Sequence, residues 1–290
     1  MTVLVTGATG RVGWHVARIL REGGQRVRAA MRGADASVGW QESVPFSFTD
    51  PTTWDAAFTG VDRMFLMRPP HLGNVRRDML PALERARQLG VRRMVLLSLQ
   101  GAERNPVVPH HALEKWLRES DLEWTFVRAA FFMQNLSTTH ASAIRDRSRI
   151  VLPAGRGRTA FVDVRDVASV AALALSEDRH VGRAYTLTGS QALTYAEVAD
   201  LIGAELGRPV RYVPTGPLRY LRAARADGMA WGMALVTLAL YTTCRLGFAD
   251  GLTDDVRTLL GREPIDFSRF AHDERAAWLP APNAQPATTA

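Results

Sequence analysis

The stretch from Thr2 to Gly13 constrains the fold more than any other. "TVLVTG" is a short apolar, β-branched run, and Gly7, Gly10 and Gly13 follow at G-x-x-G-x-x-G spacing into "WHVARILREGG", whose apolar residues recur at helical period. A strand, a glycine turn and a helix in this order suit a backbone that must reverse sharply and approach a pyrophosphate. The pyrophosphate then rests on the N–H groups at the helix start. The spacing predicts a dinucleotide site built from Gly7, Thr9, Gly10, Arg11, Val12 and Gly13.

The rest of the first half keeps the same alternation. "QRVRAAMR", "DRMFLM", "RRMVLLSL" and "LEWTFVR" read as strands, and "NVRRDMLPALERARQLG" between them reads as a helix. Alternating strands and helices predict an α/β fold, a Rossmann-type doubly wound parallel sheet covered on both faces. After Pro153 the pattern loosens. "VRDVASVAALALSE" reads as a helix, "RAYTLTG" as a strand, and "TYAEVADLIGAELG" as a helix capped by Thr194 with Glu197 three residues on. We expect a nucleotide-binding domain over 1–152, a smaller substrate lobe over 153–280 interleaved with it, and a flexible tail over 281–290. No internal repeat is visible.

The second strand bears on which nucleotide is bound. NAD sites place Asp or Glu at its end, about 20 residues past the glycines. Here the strand ends "AAMRGAD", so Arg32 holds that region. A guanidinium suits a 2′-phosphate, with Arg11 in the glycine turn as a second contact. This predicts NADPH over NADH; the alternative is two solvated arginines in an arginine-rich chain. Met67 and Arg68, closing the strand "DRMFLM", complete the expected cofactor contacts.

Composition removes other classes. The formal charge is +7 and the pI about 10.4, but the arginines are scattered without interleaved aromatics. No nucleic-acid partner is expected. The single cysteine, Cys244, excludes an internal disulfide and a cysteine-rich metal site, and no metal is expected. "GMAWGMALVTLALYTTC", from Gly228 to Cys244, is uncharged but shorter than the roughly 20 residues of a membrane span. It reads as a buried or pocket-lining helix, with no membrane partner. The N-terminal stretch lacks the basic residues of a secretory signal, so we expect a cytoplasmic protein.

"VTGATGRVG", "LLSLQGAE", "HALE…WTFVRAAFFMQN", "FVDVRDVA", "YTLTGSQALTYAEVA" and "LTDDVRTLLGREP" resemble the NmrA-like branch of atypical short-chain dehydrogenases/reductases. The resemblance runs over about residues 1–278. It implies a Rossmann domain with a lobe that closes over the nicotinamide, in a monomer or homodimer. The implied activity is that of an NAD(P)H-dependent oxidoreductase of the quinone-, dye- or iminium-reducing kind. The alternative implied by the same branch is a non-catalytic NADP(H)-sensing regulator that binds a protein partner. Two positions depart from the branch. Arg128-Ala129-Ala130 stands for its "RPG", and Ser47 for an acidic residue near the adenine.

Ordinary short-chain reductases carry Tyr-x-x-x-Lys on one helix. "VPHHALEKWLRES" offers His111 and Lys115 at that spacing, but Leu113, Trp116 and Leu117 define its expected buried face. Lys115, the only lysine, is then a surface residue, with His110 and Glu114 on the flank. By resemblance His110 relays a proton, titrating near neutral pH; otherwise it is a helix-start histidine satisfied by Glu114. Ser98 matches the branch's serine near the nicotinamide, or is a plain strand-end serine. Asn135 matches its asparagine, orienting substrate or capping a loop. Phe131, Phe132, Met133, Trp231 and Tyr241 line an aromatic pocket or belong to the core. Asp166 is expected to cap a helix. Without Tyr-x-x-x-Lys, the expected acceptors are conjugated and electron-poor: quinones, aromatic polyketides, enones or iminium ions. Hydride arrival leaves them with a delocalised or neutralised charge. The arginine-heavy composition suggests a high-GC soil bacterium, where such proteins often tailor aromatic polyketides, so a place in antibiotic biosynthesis is expected.

Overall fold

A computed structural model describes residues 1–32, 40, 42–226 and 228–280. Val3, Leu4 and Val5 are all fully buried, so the first strand is covered on both sides. Continuous burial of this kind belongs to a parallel sheet with helices on each face. The chain forms β1 (Thr2–Thr6), α1 (Arg11–Glu22), β2 (Arg26–Met31), β3 (Ser43–Pro45), α2 (Trp54–Phe58), β4 (Arg63–Met67), α3 (Val75–Asp78), α4 (Leu80–Gln88), β5 (Arg93–Leu99), α5 (Pro109–Glu119) and β6 (Glu123–Ala129). It then makes β7 (Phe131–Phe132), α6 (Ala141–Arg147), β8 (Arg149–Leu152), β9 (Arg158–Val162), α7 (Val164–Ser176), β10 (Arg183–Leu187), β11 (Ala192–Thr194), α8 (Tyr195–Leu206), β12 (Arg211–Pro214), α9 (Pro217–Ala226), α10 (Trp231–Arg245), α11 (Asp255–Leu260) and α12 (Phe267–Asp273).

These elements divide into two units. The first comprises 1–130, 164–188 and 253–263; the second comprises 131–163, 189–252 and the segment from Pro264 onward. The first unit therefore ends at Ala130 rather than near 152, and it takes back α7, β10 and α11 from later in the chain. The strand "RAYTLTG" is the reason, because β10 adds to the main sheet beside β6. The expected tail over 281–290 lies outside the described residues.

The first unit holds a seven-stranded sheet in the order β10-β6-β5-β4-β1-β2-β3, every pair parallel. Side chains alternate across it. Met64, Leu66, Met94 and Leu96 join Phe58, Met79, Leu83, Leu113 and Leu117 in one core layer. Helices α1 and α7 pack together, and α7 lies against β4, β5 and β6. The predicted helix "NVRRDMLPALERARQLG" is two, because Pro81 sits in the first turn of α4 and the chain breaks from helical geometry at Met79.

The second unit carries β11-β9-β7 and the parallel pair β12-β8. Its core gathers Phe161, Tyr195, Tyr241, Phe270 and the fully buried Trp278, whose indole N–H donates to the Leu136 carbonyl at 2.8 Å. Thr194 caps α8 reciprocally with Glu197, as the sequence predicts. A Cβ on Gly157 would fall 1.8 Å from the Cys244 carbonyl oxygen, so this loop lies directly on the end of α10. Helix α10 is not a buried helix. Ala234, Tyr241 and Cys244 are its buried residues, and most of its apolar side chains face outward. Among the described residues no helix is long and apolar enough to cross a membrane.

Candidate functional site

Strand order reverses direction at β1, between β2 and β4, which is where ligands bind at the carboxyl ends of an open parallel sheet. The register puts Thr6 level with Ala30, and Met67 level with Leu97, so Gly7 and Arg32 follow strand ends on this edge, Met67 closes β4 and Ser98 is the last but one residue of β5. Thr6 ties the two central strands together there. Its hydroxyl donates to the Phe65 carbonyl at 2.9 Å and accepts from the Met67 N–H at 2.8 Å.

The three glycines answer different constraints. Gly7 has φ +65°, and a Cβ on it would lie 2.0 Å from Met67 Cε. A Cβ on Gly13 would lie 2.2 Å from the Gly7 carbonyl oxygen, so α1 starts hard against the turn. Gly10 is the N-cap of α1 without a side-chain cap, and its N–H donates to Gly7 O at 2.8 Å. The first turn of α1 contains no acidic side chain to compete for an incoming anion. Val12 and Gly13 are buried, while Thr9 and Arg11 are exposed beside the turn. Arg32 is exposed just past β2. This cradle fits the pyrophosphate of a dinucleotide, with Arg11 opening α1 and Arg32 just past the end of β2. Arg68 does something else. Its guanidinium donates to the carbonyls of Pro69, Pro70 and Leu72 at 3.0, 3.2 and 2.8 Å, which fastens the loop after β4.

Beside the cradle lies a cluster that hydropathy alone does not reveal. Glu114 is fully buried on α5. It accepts from Ser98 Oγ at 2.7 Å, from Arg128 Nε and Nη2 at 2.9 and 2.7 Å, and from Arg118 Nη2 at 3.1 Å. Arg128 reaches Glu103 as well, at 3.3 Å. Burial raises the Glu114 carboxyl, but the hydrogen bonds from Arg128 and Ser98 and the nearby guanidinium charges outweigh it, and the group stays below the ordinary carboxylate value. The buried face of α5 is therefore His110, Leu113, Glu114 and Leu117, with Trp116 half-buried. His110 and Glu114 are not flank residues. An arginine inside the apolar run "WTFVRAAFF" was the available signal, since a strand buried on both faces tolerates Arg128 only with a partner.

His110 is buried, and its Nδ1 has no hydrogen-bond partner among the described residues. Glu114 does not satisfy it. Burial pushes the imidazole down to about 4, the Arg68 charge adds to this, and Glu114 opposes it. His110 is thus neutral at pH 7, and the expected titration near neutrality does not fit this environment. Lys115 points to solvent 3.7 Å from Glu119, as expected, and His111 Nδ1 lies 2.9 Å from the Ala102 carbonyl. Asp166 sits in the first turn of α7, where it pairs with Arg262 at 2.7 Å.

The remaining candidates belong to the second unit. Phe131 and Phe132 are half-buried, Asn135 is exposed as the last residue of a single 3-10 turn, and Met133 is core. Tyr241 is core as well, its hydroxyl 2.8 Å from His140 Nε2, with Tyr195 and Tyr220 edge-on to its ring. Burial holds His140 near 4, so this pair is neutral too. Trp231 is exposed on α10 under the Arg225 guanidinium. Cys244 is buried, its thiol pushed up to about 11 by burial. Among the described residues no group of three or more His, Cys, Asp or Glu is placed to hold a metal.

The chain is 34% identical over 289 residues to the NAD(P)H azoreductase of Xenophilus azovorans, covering 95% of this chain and 99% of that protein. Its fold superposes on the NADPH-dependent quinone oxidoreductase of Escherichia coli, solved with NADPH, with a TM-score of 0.83 at 23% identity, over 94% and 99% of the two chains. The triphenylmethane reductase of Citrobacter sp., solved with NADP(H), gives a TM-score of 0.81 at 24% identity, again over 94% and 99%. The model of the NmrA-like family matches residues 1–226, and with the near-complete likeness to the azoreductase this settles the lineage: the chain belongs to the NmrA-like family.

Proposed function

We propose that this protein is an NADPH-dependent reductase of conjugated, electron-poor small molecules such as quinones, azo compounds, extended enones or iminium ions. The observation that carries the reading is its likeness, over nearly the whole chain, to a protein named for azo reduction with NAD(P)H. The cradle of Gly7, Gly10 and Gly13 supplies a seat of the right kind, with Thr9, Arg11, Val12 and Met67 around it and Arg32 toward the 2′-phosphate, while Arg68 holds the neighbouring loop. When bound, the reduced nicotinamide supplies hydride; everything else falls to the chain's own residues.

Met67 packs against Gly7 and fixes how closely a ligand approaches the turn. Ser98 donates inward to Glu114, so its role is to hold α5 against β5 rather than to act as an acid. Neutral His110 orients rather than protonates, and Phe131, Phe132 and Asn135 are assigned to the acceptor. The proton that accompanies hydride then comes from water. A plain ketone would become a basic alkoxide and need a placed acid, whereas a conjugated acceptor delocalises the charge.

The test is a panel read by loss of NADPH absorbance, with quinones and azo dyes on one side and isolated aliphatic ketones on the other. Turnover confined to the first group is expected. Faster aliphatic ketones would mean that a proton donor is present after all. Tight NADPH binding without turnover of any acceptor would mean a nucleotide sensor.

A further inference from the structure

Helix α10 presents to solvent what a water-facing helix normally avoids. Ala234, Tyr241 and Cys244 fix one side of it in the second unit's core. On the outer side Trp231, Leu235 and Val236 are 58%, 53% and 55% exposed, Met233 and Leu240 are also exposed, and no charged residue occurs from Trp231 to Cys244. A polar or charged outer face is the rule for surface helices. Beyond the helix end, Leu246 and Phe248 are exposed too, Phe248 at 76%. Fifteen residues at helical rise make a face about 22 Å long, more than one small acceptor covers.

The rim has a sign. Helix α9, packed beside α10, exposes Arg219, Arg222 and Arg225 and carries no acidic residue. Arg225 lies over the Trp231 ring at 5.3 Å, joining the charged rim to the apolar face. A tryptophan at the helix start, aliphatic side chains along one face and arginines at its border are the arrangement by which a helix lies in the headgroup region of a bilayer. A second copy of the chain is a poorer occupant, because a two-fold contact through this face would set arginine rim against arginine rim.

We propose that the outer face of α10, with its arginine rim, docks this protein peripherally on an anionic lipid surface. The helix lies in the plane of that surface and does not span it. This goes beyond the reductase reading and does not depend on it.

The experiment is flotation of the full chain with vesicles of phosphatidylcholine alone, and of phosphatidylcholine mixed with phosphatidylglycerol, at low and high salt. Binding is expected to the mixed vesicles, weakening with salt. The double variant Leu235→Glu/Val236→Glu is expected to lower the bound fraction about tenfold or more, because it takes two apolar anchors out of the bilayer. Arg222→Glu replaces attraction with repulsion and is expected to weaken binding by about fivefold or more. Thermal unfolding of both variants checks that they fold; if the double variant does not, Arg222→Glu carries the test. The proposal is overturned if the mixed vesicles do not float the protein, or if the folded variants float as well as the parent. It is equally overturned if gel filtration shows a dimer that the double variant dissociates while vesicles bind neither form.

Discussion

Replacing Glu114 with alanine isolates the buried ion cluster from the rest of α5. In the folded protein this carboxylate is fully buried and takes hydrogen bonds from Ser98, Arg118 and both Nε and Nη2 of Arg128. Without it the Arg128 guanidinium keeps, among the described residues, only Glu103 at 3.3 Å, and Ser98 Oγ loses its acceptor. Removing one partner of a buried pair costs about 3 to 5 kcal/mol, and Glu103 offsets only part of that, so we expect a loss of about 3 to 4 kcal/mol. Glu114→Leu combined with Arg128→Met removes both charges together and is expected to cost clearly less than the single change, because no charge is left stranded. Lys115→Ala, one residue along and in solvent, is expected to cost under about 0.5 kcal/mol. Urea unfolding of the four proteins reads the differences. Near-equal midpoints for Glu114→Ala and Lys115→Ala would refute the reasoning, as would a double variant weaker than Glu114→Ala.

Other outcomes follow from the same geometry. His110 sits near 4 when folded and 6.5 when free, so the unfolded chain takes up its proton first as pH falls. Its effect on stability is nil above about pH 6.5, grows to about 2 kcal/mol of destabilisation by pH 5, and levels off below about pH 4. His110→Asn should flatten the stability profile between pH 7 and 5 by that amount, and parallel profiles would show that His110 is not held neutral. Gly13→Ala forces a Cβ to 2.2 Å from Gly7 O and should weaken dinucleotide binding by about tenfold or more, whereas Gly73→Ala, with open space around it, should leave binding unchanged. Arg32→Ala should weaken NADPH about tenfold and leave NADH within about twofold, read by fluorescence titration; equal losses would remove Arg32 from the 2′-phosphate.

Much of the first unit is legible because its signals are local. "TVLVTG" followed by spaced glycines reports a strand, a turn and a helix within a few residues of one another, and β2, β4, β5 and β6 announce themselves as short apolar runs, whereas β3, with three residues, does not. The second unit is harder to read. Strands such as β7, with two residues, and β11, with three, are too short to show a period, and they exist only because β9 lies between them. The register of α5 failed for a different reason. Hydropathy counts Glu114 as polar and sets it on the flank, but the partner that lets it turn inward, Arg128, is on another element. His110 is misread with it, because its environment is set first by burial on the inward face of α5 and second by the charge of Arg68, just past β4. On α10, composition alone reads as interior, and only the packing reveals how little of the helix is covered.

The position of β10 in the sheet has a consequence during synthesis. Strand β6 pairs with β5 on one side and with β10 on the other, but β10 leaves the ribosome about sixty residues after β6 does. At roughly 5 to 20 residues per second, the nascent chain carries β6 as an open edge for about 3 to 12 s. That edge bears Trp124 and Phe126 and exposes a row of unpaired backbone groups, the template on which strands from other chains add. A chain truncated between 130 and 183 never closes it. Aggregation of such fragments, and a need for chaperone cover over this interval of translation, follow from where a single five-residue strand falls in the chain.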